Sequence, residues 1–568
     1  MTMGHRSTLR LVEQLDRADV GGQSVVLTGN TSDYVVAADG SPRRLQHQLA
    51  AWAAEHGRAT IIYSTAEGAR QLPLPGGSPI SFHLPNAGSS TADAIDELFA
   101  QIRSSAVPVQ LIVDYGGHAL QPVRAAIVPE HNRVIELVAE FVIDPEVRAT
   151  GHRMTVITRT GSVDDQLFRL PGVAVINVEL PDFEERLIFI TRLLQPQTGQ
   201  PLRLVPDMTP ERLAALTGGL SLFDLLRARD ESAGGIPIGH EWVQAQKAES
   251  LRRIAADNLI VHPPGKGIAE VAGLPQIRLL LREALDSGRF PRRLLLAGPP
   301  GVGKTVCVTA IADELGVPAI ALGNVRSMWV GESERNFRAV LDVVDALAPL
   351  VLHIDEIDQA VGQRQTGQSS DGGTSERLLA DLMTFLGSNG RKRVTVIATT
   401  NRPDLLDSAM FDRFTVIPIL HPTSVEAAQI LIIAATREDR VLMEDVARRC
   451  VERTDQLLTG RVLVDVLDRA MTFADADGCR VTIEETHLDA AFEDLLMALD
   501  PDEHEYLALQ AIQLTTFQSY LPWKAAEALG EPIQLPQYLP ALLDGAGLVS
   551  AEKLRARIDE LRGGHGAR

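Results

Sequence analysis

Short apolar runs alternate with amphipathic stretches over most of the chain. A run such as residues 294–297 suits a strand that is buried on both faces, whereas the spacing of apolar residues over 336–348 predicts a helix. Strands that alternate with helices indicate a parallel sheet with helices on its faces. The pattern therefore predicts an α/β fold.

In the first half this pattern predicts a sheet domain at about 20–180 and a small helical lid at about 181–235, together a module over residues 1–235. Its predicted strands are 24–27, 59–63, 109–114, 154–158 and 173–178. Its predicted helices before the lid are 7–16, 44–55, 91–104 and 130–141. Residues 70–90 are rich in Pro and Gly, which predicts a long loop.

The second half repeats the order, with a sheet domain at 268–422 and a helical lid at 423–500. Its predicted strands are 294–297, 317–322, 350–354, 394–399 and 414–420. We expect residues 236–267 to be a linker and 501–568 to be a helical extension, with a helix at 543–561. Three roles stay open for this extension: packing on the lid, ring assembly or binding of a client.

Two similar offsets indicate that the halves are copies of one domain. Asp114 and Asp355 end corresponding predicted strands and are 241 residues apart, and Thr217 and Thr459 mark turns in the two lids and are 242 residues apart. A near-constant offset is typical of an internal repeat. Two unrelated α/β domains are the weaker alternative.

The most specific motif follows the first strand of the second half. Lys304 is expected to bind the β- and γ-phosphates of ATP and Thr305 to hold Mg²⁺. The glycines turn backbone N–H groups toward phosphate oxygens at the N-terminus of a helix, which Gly316 is expected to end. The residues that fit the phosphate-binding pattern G-x-x-x-x-G-K-[ST] are Gly298, Pro299, Pro300, Gly301, Val302, Gly303, Lys304 and Thr305. The predicted fold class is thus α/β with two P-loop-NTPase-like parallel sheet domains, each followed by a helical lid, plus a helical C-terminal tail.

Two carboxylates end the predicted strand at 350–354. Asp355 is expected to anchor Mg²⁺ through water, and Glu356 to orient and polarise the attacking water. A solvated acidic turn is the alternative, which the position downstream of a phosphate loop disfavours.

The first half lacks these groups. Its corresponding loop, residues 28–33, has no lysine, Tyr115 stands where the second half has Glu356, and Thr160 and Gly161 stand in place of Thr400 and Asn401. We expect this module to bind nucleotide poorly or not at all and to act as a scaffold.

Residues from about 268 to 497 resemble an AAA+ ATPase module of the valosin-containing-protein, katanin and spastin type. The resemblance implies that Asn401 is a sensor of the γ-phosphate or the attacking water, and that Arg413 is an arginine finger for the neighbouring subunit's site. Arg461 is either a second sensor or an exposed arginine at a helix start. The motifs that carry the resemblance lie at residues 298–305, 328–335, 355–358, 398–404 and 412–414.

The same resemblance implies loops that face a central pore. Trp329 and Val330 belong to its first pore loop, where an aromatic side chain contacts a polypeptide mainly through apolar area. A buried core tryptophan is the alternative. Residues 362–374, with Arg364, would form a second pore loop. The family often has two finger arginines, but Phe411 and Asp412 occupy the earlier positions here, which leaves a second finger in doubt.

Charge and cysteine content narrow the function classes. The net charge of −20 argues against a general nucleic-acid or membrane-surface binder. Three cysteines without metal-site spacing favour a reducing compartment, and the absence of a signal peptide and of a membrane-length apolar run predicts a cytoplasmic protein. The sequence contains no His-Glu-x-x-His motif of a zinc protease.

The expected function is an ATP-driven, ring-forming protein remodeller, with a homohexamer as the expected partner state and an unknown protein as client. One alternative is an AAA+ assembly chaperone or nucleotide switch that does not thread its client. A non-catalytic scaffold that binds ATP and a nucleic-acid motor are weaker alternatives.

Overall fold

A computed structural model describes most of the chain as two compact units, Met1–Gly239 and His240–Arg568. The described residues are 6–37, 40–72, 82–85, 90–116, 120, 129–159, 166–196, 200–255, 259–263, 267–268, 271–287, 289–322, 334–358, 382, 384–385, 394–406, 408–454, 457–496, 500–544 and 548–565.

The first unit is built on a six-stranded sheet in the order β5-β4-β6-β7-β1-β8. Five strands are parallel, as predicted, and β5 is antiparallel at one edge, while β2 and β3 pair separately as a hairpin. The strands are β1 (Ser24–Gly29), β2 (Tyr34–Val36), β3 (Pro42–Arg44), β4 (Ala59–Ser64), β5 (Gly68–Leu72), β6 (Val109–Val113), β7 (Arg153–Ile157) and β8 (Val173–Val178).

Apolar residues at helical spacing bury the helices of this unit against the sheet. The last three helices lie within residues 181–235, the region predicted as a lid, and we call them the lid of this unit. The helices are α1 (Arg6–Val20), α2 (Leu45–Glu55), α3 (Thr91–Arg103), α4 (Pro129–Ile143), α5 (Pro145–Ala149), α6 (Phe183–Leu193), α7 (Pro210–Leu216) and α8 (Leu222–Ala233).

The first residues of the loop predicted over 70–90 belong to a strand in the structure. Gly68 has φ of 73° and turns the chain back, so that the residues after it pair with β4 as strand β5. Within the predicted loop, the structure describes residues 70–72, 82–85 and 90. The sequence analysis also missed the β2–β3 hairpin, whose strands have only three residues each.

The second unit contains a six-stranded sheet in the order β14-β10-β13-β12-β11-β9, with β9 antiparallel at the edge. Counted along the chain, the parallel strands follow the order 5-1-4-3-2 in both units, which supports the predicted repeat. The strands of this sheet are β9 (Leu259–Val261), β10 (Arg293–Ala297), β11 (Ala319–Leu322), β12 (Leu350–Ile354), β13 (Val394–Thr400) and β14 (Thr415–Pro418).

Helices cover this second sheet, and four further helices with a small two-stranded sheet form the lid. The sheet-domain helices are α9 (His240–Ala255), α10 (Pro275–Ser287), α11 (Lys304–Leu315), α12 (Glu334–Ala346) and α13 (Ser408–Phe411). The lid elements are α14 (Ser424–Arg437), β15 (Val441–Leu442), α15 (Glu444–Glu452), α16 (Gly460–Ala476), β16 (Thr482–Ile483) and α17 (Glu485–Glu493).

The predicted linker at 236–267 contains α9 and β9, and from His240 onward it is part of the second unit. Lys247 on α9 is fully buried, and its amine donates to the carbonyl oxygens of Leu347 at 3.2 Å and Pro349 at 2.7 Å. Because a buried ammonium needs such partners, these bonds fix α9 beside strand β12. The sequence analysis missed the packing of α9, since the polar residues of this segment are spaced as in a solvated helix.

The C-terminal extension packs on the sheet domain of the second unit. It contains α18 (Pro501–Gln513), α19 (Pro522–Leu529) and α20 (Ala551–His565), so the last helix begins later than the predicted residue 543. Ala511 is buried in the core of the sheet domain, and the amide of Val416 on β14 donates to Thr516 Oγ1 at 2.8 Å. Among the described residues, no helix is both long and apolar enough to cross a membrane.

Candidate nucleotide site

A cavity of about 810 Å³ lies at the carboxyl end of the second sheet. Its volume is within the range of small-molecule sites in proteins, about 300–1,000 Å³. The predicted site residues that line it are Pro300, Gly301, Val302, Gly303, Lys304, Thr305, Asp355, Glu356, Asn401 and Arg461.

Local geometry explains two glycines of the phosphate-binding loop. A Cβ on Gly298 would lie 1.9 Å from the carbonyl oxygen of Ile419, so no side chain fits between these two strand ends. Gly303 has φ of 95° directly before α11, a conformation that L side chains rarely adopt. At its other end, α11 is closed by Gly316 with φ of 67°, which confirms the predicted C-terminal residue.

Lys304 is buried in the loop, and its amine has three partners. The amine donates to the carbonyl oxygens of Gly298 at 2.8 Å and Pro299 at 2.6 Å, and to Asn401 Oδ1 at 2.6 Å. Burial lowers the pKa of Lys304 to about 8, although nearby carboxylates oppose this shift. Since none of the three hydrogen-bond partners is charged, a phosphate oxygen would be a stronger partner for the ammonium.

Asn401 connects Lys304 to the carboxylate pair. Its Nδ2 donates to Glu356 Oε1 at 3.1 Å. Glu356 has φ of 46°, an uncommon left-handed conformation for a residue other than glycine, and its amide donates to Thr399 Oγ1 at 3.2 Å. Such backbone strain is frequent at functional sites. The structure thus brings together three residues that the sequence analysis selected from separate motifs.

The oxygen ligands at this end of the cavity suit Mg²⁺. Thr399 Oγ1 donates to one oxygen of Asp355 at 2.6 Å, and the Asp355 side chain is 57% exposed, so its carboxylate is accessible. The exposed Thr305 hydroxyl lies on the same cavity. Carboxylate, hydroxyl and water oxygens are the ligands that Mg²⁺ prefers. Thr305 and Asp355 therefore fit the predicted metal role.

The lid contacts the phosphate-binding loop at the first turn of α16. The amide of Arg461 donates to the carbonyl oxygen of Gly301 at 3.2 Å, and Thr459 caps this helix by accepting from the Val462 amide at 3.3 Å. Arg461 also lines the cavity, so this contact joins the lid to the phosphate-binding loop at the cavity wall.

Other predicted residues lie elsewhere. Arg413, between α13 and β14, does not line the cavity of its own chain. Trp329 and Val330, and the second predicted pore loop at 362–374, are outside the described residues.

The sequence analysis missed much of the cavity wall. Part of it is the turn before α10, where Gly273 and Leu274 have φ of 66° and 55°. His421 also lines the cavity, and its Nε2 is 3.1 Å from His504 Nδ1 on α18. The extension adds the segment 531–536, which carries no motif that signals a binding site. Of these wall segments, only the turn before α10 carried a residue that pattern analysis can notice, the glycine Gly273.

The corresponding region of the first unit has a different structure. Tyr115 has φ of 56°, close to the 46° of Glu356, so both positions have the positive φ that is uncommon for residues other than glycine. Arg159 makes an ion pair with Asp114 and donates to the carbonyl oxygen of Thr31 at 3.1 Å and to Gln46 at 3.0 Å. A nearby cavity, bounded by α1, the loop after β1 and the lid, has a volume of only about 70 Å³.

In the same loop of the first unit, a carboxylate contacts the lid. Asp33 accepts from the amides of Leu222 at 2.8 Å and Phe223 at 3.0 Å, the first two residues of α8, and from Asn30 Nδ2 at 3.1 Å. Burial raises the pKa of Asp33, while these hydrogen bonds oppose the shift.

Comparison with known proteins agrees with this site. Residues 294–422 match the family described as ATPase family associated with various cellular activities (AAA). ATP-dependent zinc metalloprotease FtsH 1 of Symbiobacterium thermophilum is 31% identical over 374 residues, which are 60% of this chain and 58% of that protein. ATP-dependent zinc metalloprotease FtsH 3 of Synechocystis sp. is 35% identical over 226 residues, 36% of each chain.

The chain therefore spans less than two thirds of the length of both relatives. The family match covers the phosphate-binding loop, both carboxylates and Asn401, which the structure gathers around one cavity. This chain contains a domain of the AAA family of ATPases.

Proposed function

We propose that the second unit hydrolyses ATP with Mg²⁺ and uses the reaction to remodel a protein client. The single observation that carries this proposal is the hydrogen-bonded series from Lys304 through Asn401 to Glu356 at the wall of the cavity. It joins a phosphate-binding cation to a carboxylate that can accept a proton from water.

Each residue of this series has a separate task. Lys304 and the N–H groups at the start of α11 bind the phosphates, while Asn401 holds Glu356 in position and senses the γ-phosphate. Glu356 orients the attacking water and polarises it. Thr305 and, through water, Asp355 hold Mg²⁺, which neutralises charge on the phosphates.

Arg413 acts in the site of a neighbouring copy of the chain, in a ring with six subunits as the expected number. Its position outside the cavity lining of its own chain supports this role. A guanidinium supplied from a neighbour stabilises charge in the transition state, so hydrolysis depends on assembly.

Trp329 and Val330 contact the client as a pore loop, and hydrolysis moves them. This step rests on the sequence motif at 328–335 and on the likeness to the valosin-containing-protein type. The names of the two relatives describe ATP-dependent proteases, which is compatible with an unfolding task for the shared region. The proposal includes no proteolysis by this chain.

The first unit is a repeat that does not depend on nucleotide. Arg159, paired with Asp114, supplies a cation beside the position that corresponds to Glu356, and Asp33 binds the N-terminus of α8 through its carboxylate. A helix N-terminus is a favourable place for an anion such as a phosphate. Because the protein's own carboxylate occupies it, the lid of the first unit is held without a ligand.

The experiment that tests the proposal measures the ATP hydrolysis rate per subunit against protein concentration, for wild type and Lys304→Ala. We expect the wild-type rate to rise cooperatively with concentration, and the variant to lose both hydrolysis and ATP binding. A rate that survives in Lys304→Ala would refute the assigned site. A concentration-independent wild-type rate would instead refute the shared-site mechanism.

A second assay addresses the client. Trp329→Ala is expected to retain ATP hydrolysis and to lose the unfolding of a fluorescent, tagged model protein. If remodelling of a complex continues in Trp329→Ala and the client is released folded, the alternative of a non-threading assembly chaperone is favoured.

A further inference from the structure

The C-terminal extension reaches the nucleotide cavity. Besides the residues at the start of α19, the segment 531–536 lines the cavity with Glu531, Pro532, Gln534 and Pro536. This segment follows α19, which Gly530 ends with φ of 73°. None of these residues belongs to the family match at 294–422.

Several contacts fix this segment. Glu531 makes an ion pair of 2.5 Å with Arg278 on α10, and Tyr520 donates from its hydroxyl to Glu283 on the same helix at 3.0 Å. Leu420, which lines the cavity, is also buried in the apolar core of the extension. The extension and the cavity thus share residues, so the segment is a built wall of the cavity.

The chemistry of this wall suits a nucleoside better than a phosphate. The four lining residues of the segment include no cation, and the carboxylate of Glu531 is already paired with Arg278. The segment itself therefore offers no positive charge to a polyphosphate. The prolines offer apolar area, and the half-buried amide of Gln534 has one acceptor and two donors. Its amide has no hydrogen-bond partner among the residues that the structure describes.

We propose that the segment 531–536 is part of the nucleotide site and that Gln534 contacts the nucleoside of the bound nucleotide. This inference rests on the proposed function of the cavity. It makes the extension a specificity element of that site, since the base and ribose meet a wall that the family domain does not supply.

The test measures the affinity of the full chain for two probes by calorimetry, the ATP analogue AMP-PNP and inorganic tripolyphosphate, each with Mg²⁺. Gln534→Ala is expected to weaken AMP-PNP binding about three- to tenfold, as for the loss of one hydrogen bond, and to leave tripolyphosphate binding unchanged. Gln537→Ala, which alters an exposed glutamine of the extension outside the cavity lining, is the matched control. Thermal unfolding of each variant identifies losses that come from misfolding.

The outcomes separate this inference from the proposed function. If Lys304→Ala abolishes AMP-PNP binding while Gln534→Ala binds like Gln537→Ala, the inference is refuted and the proposed function stands. Equal losses of both probes in Gln534→Ala would also refute a nucleoside contact. If Lys304→Ala binds AMP-PNP like wild type, the cavity is not the nucleotide site and both proposals fail.

Discussion

Asn401 and Glu356 are joined by a hydrogen bond of 3.1 Å from Nδ2 to Oε1, while Asn401 Oδ1 accepts from the buried Lys304. The amide can satisfy both partners only in this orientation, because its oxygen cannot donate and its nitrogen cannot accept. The position of the carboxylate is therefore coupled to the cation that is expected to bind phosphate.

The first prediction concerns the proton acceptor. Glu356→Gln keeps the shape of the side chain but removes the carboxylate that we propose activates water, so kcat for ATP hydrolysis should fall about 100- to 1,000-fold. ATP affinity should change less than about threefold. Steady-state hydrolysis and equilibrium binding of AMP-PNP measure the two effects. The control is Glu438→Gln at the end of α14, outside the cavity lining.

Asn401→Ala should give a smaller loss than Glu356→Gln, about 10- to 100-fold in kcat, because the carboxylate remains but loses its orienting partner. Equal rates for wild type and Glu356→Gln would contradict the role of Glu356. A large loss of AMP-PNP affinity in Glu356→Gln would instead assign this carboxylate to binding.

The second prediction concerns Arg413. If its guanidinium acts in a neighbouring site, then a mixture of Lys304→Ala and Arg413→Ala subunits should regain ATP hydrolysis that neither variant has alone. In mixed rings, some sites combine an intact Lys304 from one subunit with an intact Arg413 from the next. Hydrolysis should peak near equal amounts of the two variants in a titration at constant total protein.

The control mixes Lys304→Ala with Glu356→Ala. Each of these changes disables the nucleotide site of the subunit that carries it, so every site in a mixed ring is disabled and the mixture should regain no activity. If the Arg413→Ala mixture also stays inactive although size-exclusion chromatography shows mixed assemblies, then Arg413 does not act across subunits.

The third prediction concerns the first unit. Asp33→Ala removes the acceptor of the Leu222 and Phe223 amides. The Leu222 bond is buried, and an unsatisfied buried donor costs about 1–3 kcal/mol. Hydrogen exchange at these two amides should accelerate, whereas ATP hydrolysis by the second unit should stay within about twofold of wild type. Asp182→Ala removes the cap of α6 in the same lid and is the matched control. Unchanged exchange at both amides would show that Asp33 does not hold α8.

Pattern analysis predicted the parallel strands of both sheets because each is a short apolar run, too short for a buried helix. It missed β5, where the edge position leaves polar residues partly exposed and weakens the apolar signal. It also missed β9, an apolar run of only three residues inside the predicted linker. The offset of 241 residues holds from Asp114 and Asp355 onward, but β1 and β10 begin at Ser24 and Arg293, an offset of 269. The first unit therefore has extra chain between its first and third parallel strands, which includes the β2–β3 hairpin and β5.

Sequence patterns identified those residues of the cavity wall whose type the expected chemistry fixes, such as Lys304, Asp355 and Glu356. They did not identify the rest of the wall, because apolar and small residues such as Ala272, Pro532 and Pro536 carry no chemical signature. Their contribution depends on which segments pack together, and that is a property of the tertiary structure. The same holds for Gln534, which is one of many glutamines in the sequence until the structure places it on the cavity.

The last prediction uses the buried histidine pair that attaches α18 to the strand end beside the cavity. Burial lowers the pKa of His421 to about 3 and also lowers the pKa of His504. Below the unfolded value of about 6.5 the unfolded chain binds protons that the folded chain does not, so stability is present above this pH and is lost on acidification. Each histidine should lower the free energy of unfolding by up to about 1.4 kcal/mol per pH unit below pH 6.5.

His504→Gln should therefore flatten the fall in melting temperature of the second unit between pH 6.5 and 4.5. The control is His83→Gln, which changes an exposed histidine of the first unit and should leave this fall unchanged. A fall as steep in His504→Gln as in wild type would show that His504 titrates alike in the folded and unfolded chains.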